Sequence, residues 1–149
     1  MSKQKIARSE IREMAFQTLF PLDFDQEISK KDALETVISL EHANWLSEEG
    51  DDFVPAYLDT LVTGVVEHRE FLDQAIQPFL KSSWTLKRLN KTDHLIMQLA
   101  IFEMNFVDEV PNKVALNEAL ELAKKYSDDS SRRFINGLLS SYMASLAKK

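Results

Sequence analysis

The chain contains no cysteine, only three glycines and only four prolines in 149 residues. Without cysteine there is no disulfide, no thiolate metal site and no thiol nucleophile. With so few glycines and prolines, and no alternating run of β-branched residues, helices are rarely interrupted and no strand is expected. No apolar run approaches the ~20 residues of a membrane span, and charges stand near the start, where a signal peptide needs an apolar stretch. A chain without membrane contact, located in the cytoplasm, is therefore expected. What is plentiful is apolar side chain: 44% of residues are hydrophobic, enough for a single domain over 1–149 to bury roughly two-thirds of its unfolded surface.

Basic charge is also scarce. The net charge is −6, and a polyanion binder usually has a basic face that releases counterions. The distribution is uneven, however. Residues 1–12 hold Lys3, Lys5, Arg8 and Arg12 against Glu10 alone, while residues 23–59 set eleven acids against Lys30 and Lys31. The chain thus has a basic head, an acidic early segment and a balanced remainder.

The apolar spacing is helical nearly throughout. Ile11, Ala15, Leu19 and Leu22 predict a first helix from about residue 7 to Pro21, its expected stop. Ser29 with Asp32 resembles a capping box opening a second helix with Leu34, Val37, Ile38 and Trp45 inward. Residues 47–52 lack apolar side chains and predict a loop. Pro55 opens one long helical region containing Val54, Leu58, Leu61, Val65, Leu72, Ile76 and Phe79, ended or kinked by Pro78. Asn90 is placed to cap a helix whose stretch Leu95 to Phe102 is apolar on nearly every side, the expected centre of the fold. Pro111 starts another, with Leu116, Ala119, Leu120 and Ala123 inward. A last helix follows Asp128–Ser131 and turns Phe134, Leu138, Tyr142 and Leu146 to the core. Asn136-Gly137 inside it predicts a close helix contact. The class is all-α, with six or seven helices.

Catalytic patterns are poor. His42, His68 and His94 are the only histidines, and none has a second ligand at metal spacing. His68 lies one turn past Val65 on an apolar stripe and is expected as a hydrogen-bonded core histidine. No phosphate loop or nucleophile elbow is present. No enzyme, no cofactor and no metal are expected. More informative is the head: Lys5, Arg8 and Arg12 stand at i, i+3 and i+7, one exposed stripe able to follow a phosphate backbone, with an ordinary solvated terminus as the alternative. Lys81, Lys87, Arg88 and Lys91 form a second basic cluster, and Arg132 with Arg133 open the last helix. On sequence alone these later groups are surface charge.

Several longer stretches stand in a specific order: Leu61-Val62-Thr63-Gly64-Val65, Ala100-Ile101-Phe102-Glu103-Met104, Val110-Pro111, the run from Val114 to Lys124, and Phe134-Ile135-Asn136-Gly137-Leu138-Leu139. In these the chain resembles the NusB family of bacterial transcription antitermination factors over nearly its whole length. The resemblance implies a fold of two small helical bundles packed together. It implies binding of the single-stranded boxA element of nascent ribosomal RNA together with the ribosomal protein NusE, within an RNA polymerase antitermination complex with other Nus factors. It assigns RNA contact to Lys3, Lys5, Arg8 and Arg12 and to a loop before the last helix holding Asp129, Ser130, Arg132 and Arg133. It assigns partner contact to Phe20 and Asp93, each of which also has an ordinary local role as a core aromatic or a helix N-terminal acid. Ser9, Glu10, Ser130 and Met97-Gln98 depart from common family residues.

Two rivals remain at this level. One is a helical protein-protein adaptor that binds no RNA and docks through the acidic segment 23–59. The other is the leading domain of a ribosomal RNA cytosine methyltransferase, which the same helical domain resembles; with no cofactor domain after Lys149, that activity is not expected here.

Overall fold

The computed structural model describes residues 7–24, 27–46, 54–81 and 85–147. Among these it contains seven α-helices, three short 3-10 turns and no strand. The helices are α1 (Arg8–Phe24), α2 (Lys30–Glu41), α3 (Ala56–Glu67), α4 (Arg69–Ile76), α5 (Lys91–Phe106), α6 (Asn112–Tyr126) and α7 (Asp129–Ala147). The expected loop at 47–52 lies outside the described residues. The chain divides into two compact units, Met1–Thr63 and Gly64–Lys149, with α3 running across the division.

In the first unit α1 packs on α2. α1 buries Ile11, Met14, Ala15, Phe16 and Leu19, and α2 buries Ala33, Leu34, Val37 and Ile38. Ser29 caps α2, its hydroxyl accepting the Asp32 N–H at 3.0 Å. Pro21 does not end α1, which runs on to Phe24. Its missing N–H forgoes only one bond, to the Gln17 carbonyl, and the residues beyond complete a single last turn. The Thr18 hydroxyl, fully buried, is satisfied locally by donating to the Met14 carbonyl at 2.8 Å.

In the second unit α5 is the centre, contacting α4, α6 and α7. Asp93 and every residue from Leu95 to Glu103 are buried on it, as a helix apolar all round must be. Asn90 caps it, its side-chain oxygen accepting the N–H groups of Thr92 at 2.8 Å and Asp93 at 3.3 Å. Polar side chains on α5 are paired. Gln98 donates to Asp73 on α4 at 2.9 Å, and Asn105 donates to the Tyr142 oxygen on α7 at 2.7 Å.

The long helical region expected after Pro55 is broken at His68, whose φ of −116° and ψ of 20° leave the helical region between α3 and α4. The His68 N–H is shared between the carbonyls of Gly64 at 3.0 Å and Val65 at 3.3 Å. Its ring Nδ1 lies 2.8 Å from the same Gly64 oxygen; a carbonyl only accepts, so Nδ1 holds the proton. The expected hydrogen-bonded histidine is thus half-buried, at a helix junction, beside the rings of Phe102 and Phe106. Pro78 falls in a 3-10 turn, Gln77–Phe79, that closes α4. On α6 the buried face is Ala115, Ala119, Leu122 and Ala123. Leu116 and Leu120 are only half-buried, because the face that meets α5 and α7 is rotated toward the small alanines, which allow closer helix approach.

The expected close contact at Gly137 is not found. An added Cβ there has nothing within 4 Å, whereas at Gly64 it would fall on the ring of Phe102. Gly64 is the glycine that permits close approach, of the last turn of α3 to the Phe102 ring on α5. Gly64→Ala is therefore expected to destabilise by about 1–3 kcal/mol through overpacking. Gly137→Ala, in an open helix interior, is expected to stabilise by about 0.5–1 kcal/mol. Urea denaturation of the two variants checks both signs.

A second expectation concerns Asp73. Burial raises its pKa, but hydrogen bonds from His94 at 2.6 Å and Gln98, with the charges of His94 and Arg69, outweigh burial and hold it below the ordinary aspartate range. The folded-state pKa being the lower one, the contribution to stability is complete above the unfolded-state value and is lost as pH falls through the folded value. Asp73→Asn should cost about 1 kcal/mol at neutral pH, a partly exposed charged hydrogen bond. The difference from wild type should vanish in strong acid, which a pair of denaturation series across pH measures.

Candidate nucleic-acid interface

The residues expected to contact RNA have separate fates. Lys3 and Lys5 lie outside the described residues. Arg8, at the start of α1, is exposed, with its guanidinium carbon 3.8 Å from the centroid of the Tyr57 ring. This cation-π contact holds the charge at the surface in a defined direction. Arg12 is not exposed, contrary to the expected stripe: only 6% of it is accessible. The buried arc of α1 is wider than Ile11, Ala15 and Leu19 suggest, since Met14 and Phe16 are also inside. Arg12 shares the i, i+4, i+7 line of Phe16 and Leu19 and is drawn in with them.

The segment Asp129–Arg133 is helix, not loop. Asp128 is exposed and its carboxylate accepts the Ser131 N–H at 2.8 Å, so it acts as the N-cap and draws Asp129 and its successors into the first turns of α7. That backbone hydrogen bond is the main reason the Asp128 carboxyl titrates below the ordinary range. Asp129 and Ser130 are exposed, Arg132 is half-buried and pairs with Asp129 at 3.6 Å, and Arg133 is exposed.

Asp93 is 6% accessible. Its two oxygens accept hydroxyl hydrogen bonds from Ser127 at 2.9 Å and Ser131 at 2.8 Å. It therefore ties the first turn of α5 to the residues that open α7. Phe20 is half-buried, with its ring centroid 5.7 Å from that of Phe16.

Asp93, Ser130 and Arg133 meet in one open cleft of about 710 Å³ in the second unit. The cleft also takes in residues for which the sequence reading had no site role: Phe79, Lys81, Arg88, Asn90, Ser131, Phe134 and Gly137. Three cations stand around two aromatic rings and several hydroxyls. Such a surface suits an unstacked base on an aromatic face, with phosphates held by the cations. Gly137, with open space where a Cβ would be, leaves room for a ligand. Lys81 and Arg88 lie more than forty residues before Arg133, so only the tertiary fold joins the basic cluster visible in the sequence to the start of α7.

The sequence model of the NusB family matches residues 9–144. The transcription antitermination protein NusB of Enterococcus faecalis is 52% identical over 143 residues, covering 96% of this chain and 93% of that protein. Its namesake from Lactiplantibacillus plantarum is 47% identical over 134 residues, covering 90% and 92%. T. maritima NusB has a TM-score of 0.77 to this structure at 28% identity, with 93% and 92% of the two chains covered. The same fold, with a TM-score of 0.76 at 24% identity over 93% of this chain and 96% of the other, occurs in a crystal structure of the antitermination factors NusB and NusE in complex with double-stranded RNA. Matched over nearly all its length and about half identical to these relatives, the chain belongs to the NusB family.

Proposed function

We propose that the chain acts as a transcription antitermination factor, one RNA-binding domain over 1–149 that takes the single-stranded boxA element of nascent ribosomal RNA together with NusE in the cytoplasm. In this role it joins an RNA polymerase complex with other Nus factors and promotes read-through without catalysing a reaction. The observation that supports RNA contact is the cleft where Lys81, Arg88 and Arg133 surround Phe79 and Phe134, in a chain whose relatives are named antitermination proteins. Cations hold phosphates and set register, while bases are read by stacking and by hydrogen bonds with groups such as the Ser130 hydroxyl and the exposed carboxylate of Asp129, which accepts from base amino groups. Arg8 adds a phosphate contact from the first helix, together with Lys3 and Lys5. Arg132 supports the site by pairing with Asp129. Arg12, being buried, serves the fold of α1.

The RNA reading is tested by salt titration of boxA binding, with NusE present, for wild type and the single variants Arg8→Ala, Lys81→Ala and Arg133→Ala. Each cation that holds a phosphate should lower the slope of log affinity against log salt by about 0.7. All RNA sequences should weaken alike, with base preference kept. Arg8→Ala should cost no more than about 0.5–1 kcal/mol of stability, the worth of an exposed cation-π contact. Slopes unchanged in all three variants would return these residues to ordinary surface charge and favour the adaptor reading.

Partner contact is assigned to Phe20, whose ring is partly accessible, with Asp93 as the second position. A charge reversal at Asp93 removes the acceptor of two serine hydroxyls and disturbs the start of α7, so it does not isolate partner binding. Phe20→Ala does so better. NusE affinity is expected to drop by about tenfold or more, the effect of truncating an aromatic anchor, with the helical circular dichroism unchanged. Equal affinity for NusE would leave Phe20 as a core-edge residue.

A further inference from the structure

The sequence shows no metal ligand because no donor stands at helical spacing from any histidine. The fold supplies one from far along the chain. Glu10, on α1, places Oε2 2.6 Å from Nε2 of His42, thirty-two residues away. Glu41, the last residue of α2, brings a third donor: one atom from each of Glu10, Glu41 and His42 lies within 4.8 Å of the others. All three belong to the first unit, whereas the cleft described above belongs to the second.

We propose that Glu10, Glu41 and His42 form a binding site for a divalent transition ion of the zinc type, clipping α1 to the end of α2. One imidazole nitrogen and two carboxylates are a donor set that borderline ions accept, and the imidazole disfavours magnesium and calcium, which prefer oxygen throughout. With bonds of about 2.0–2.2 Å, donors of a tetrahedral ion stand roughly 3.3 Å apart, so the His42–Glu10 contact need open by less than about 1 Å. Three protein donors leave the remaining position to water.

Two further features favour a cation at this place. Glu41 and His42 stand at the C-terminal end of α2, where unpaired carbonyls make the negative pole of the helix, and the last turn of α2 contains no basic residue. The His42 ring is also held in direction, stacked on Trp45 at 4.0 Å between centroids and 9° between planes. This fixes Nε2 toward Glu10, a carboxylate that only accepts, so Nε2–H donates to it in this geometry; an ion binding there takes the place of that proton and leaves the ring's proton on Nδ1. The other histidines offer less. His94 has one carboxylate, Asp73, already shared with Gln98, and His68 donates Nδ1 to a carbonyl.

The test is titration of the metal-free full chain with zinc chloride against a competing chromophoric chelator, with magnesium chloride as the control ion. One equivalent should bind, and affinity should fall about tenfold or more in His42→Ala, Glu10→Gln and Glu41→Gln, at least the effect seen for supporting groups of metal sites. Glu41 is exposed, so Glu41→Gln leaves the fold intact and keeps the result readable if the other variants unfold. Zinc should also raise the melting temperature of wild type and not that of Glu41→Gln. The proposal is overturned if Glu41→Gln and His42→Ala bind zinc as wild type does, if His94→Ala alone removes binding, or if magnesium binds equally well.

Discussion

A helix with no exposed face has to be enclosed, and that requirement organises the second unit. α5 is buried from Leu95 to Glu103, so α4, α6 and α7 must be laid against it. Two consequences follow. Where α3 crosses Phe102 the approach is close enough that only glycine fits, at Gly64. Where α5 holds a polar group, a neighbour has to satisfy it, because an unpaired buried polar atom costs about 1–3 kcal/mol. Gln98 and Asn105 meet this need through Asp73 and Tyr142. Asp93 meets it through Ser127 and Ser131, and in doing so fixes where α7 begins. The wall of the cleft is thus a by-product of satisfying one buried carboxylate.

That dependence bears on how the cleft is used. Arg133, Phe134 and Gly137 reach it from α7, while Lys81, Arg88 and Asn90 reach it from the segment before α5. The Asp93 carboxylate bridges those two sources of side chains at hydrogen-bond distance. A substitution there changes the shape of the cleft as well as any contact made by Asp93 itself, so loss of RNA or partner binding in such a variant has two physical routes. Variants at the exposed cations change charge alone.

The helices were legible because their signals are local. Spacing marked the core faces of α1, α2 and α5, and the Ser29 and Asn90 caps stand where short polar side chains precede apolar runs; on α7 Leu138 and Tyr142 are buried as expected, but Phe134 and Leu146 are only half-buried and Ile135 and Leu139 fill the core beside them. The misses are tertiary in origin. The break at His68 arises from a ring that competes for the Gly64 carbonyl beside Phe102 and Phe106, which no spacing reveals. The charge of Arg12 argues for the surface, yet it shares a helical line with Phe16 and Leu19 and is buried with them. Gly137 and Gly64 were alike in sequence, each a glycine inside a helix, and only the neighbouring helix tells close packing from open space. Of the candidate site, the start of α7 was visible through the family resemblance. Its joining to Lys81, Arg88 and Phe79 was not, since these lie on separate elements.

Charge sets the scale on which such a surface works. The chain as a whole is at −6, and in the proposed function the described cations that would hold phosphates are Arg8, Lys81, Arg88 and Arg133. At about 0.7 counterions released per single-strand phosphate, four contacts give a salt slope near 3. A fourfold rise in salt then weakens binding by about fiftyfold, against the far steeper losses of strongly basic proteins. In the proposed function, little of the affinity is therefore electrostatic. On the same reading, stacking of bases on Phe79 and Phe134, at about 1–3 kcal/mol per base, would contribute on the scale of the cations at moderate salt. Tight binding in this role would then require a second protein that adds its own RNA contacts to the same strand, converting the second association into an intramolecular one.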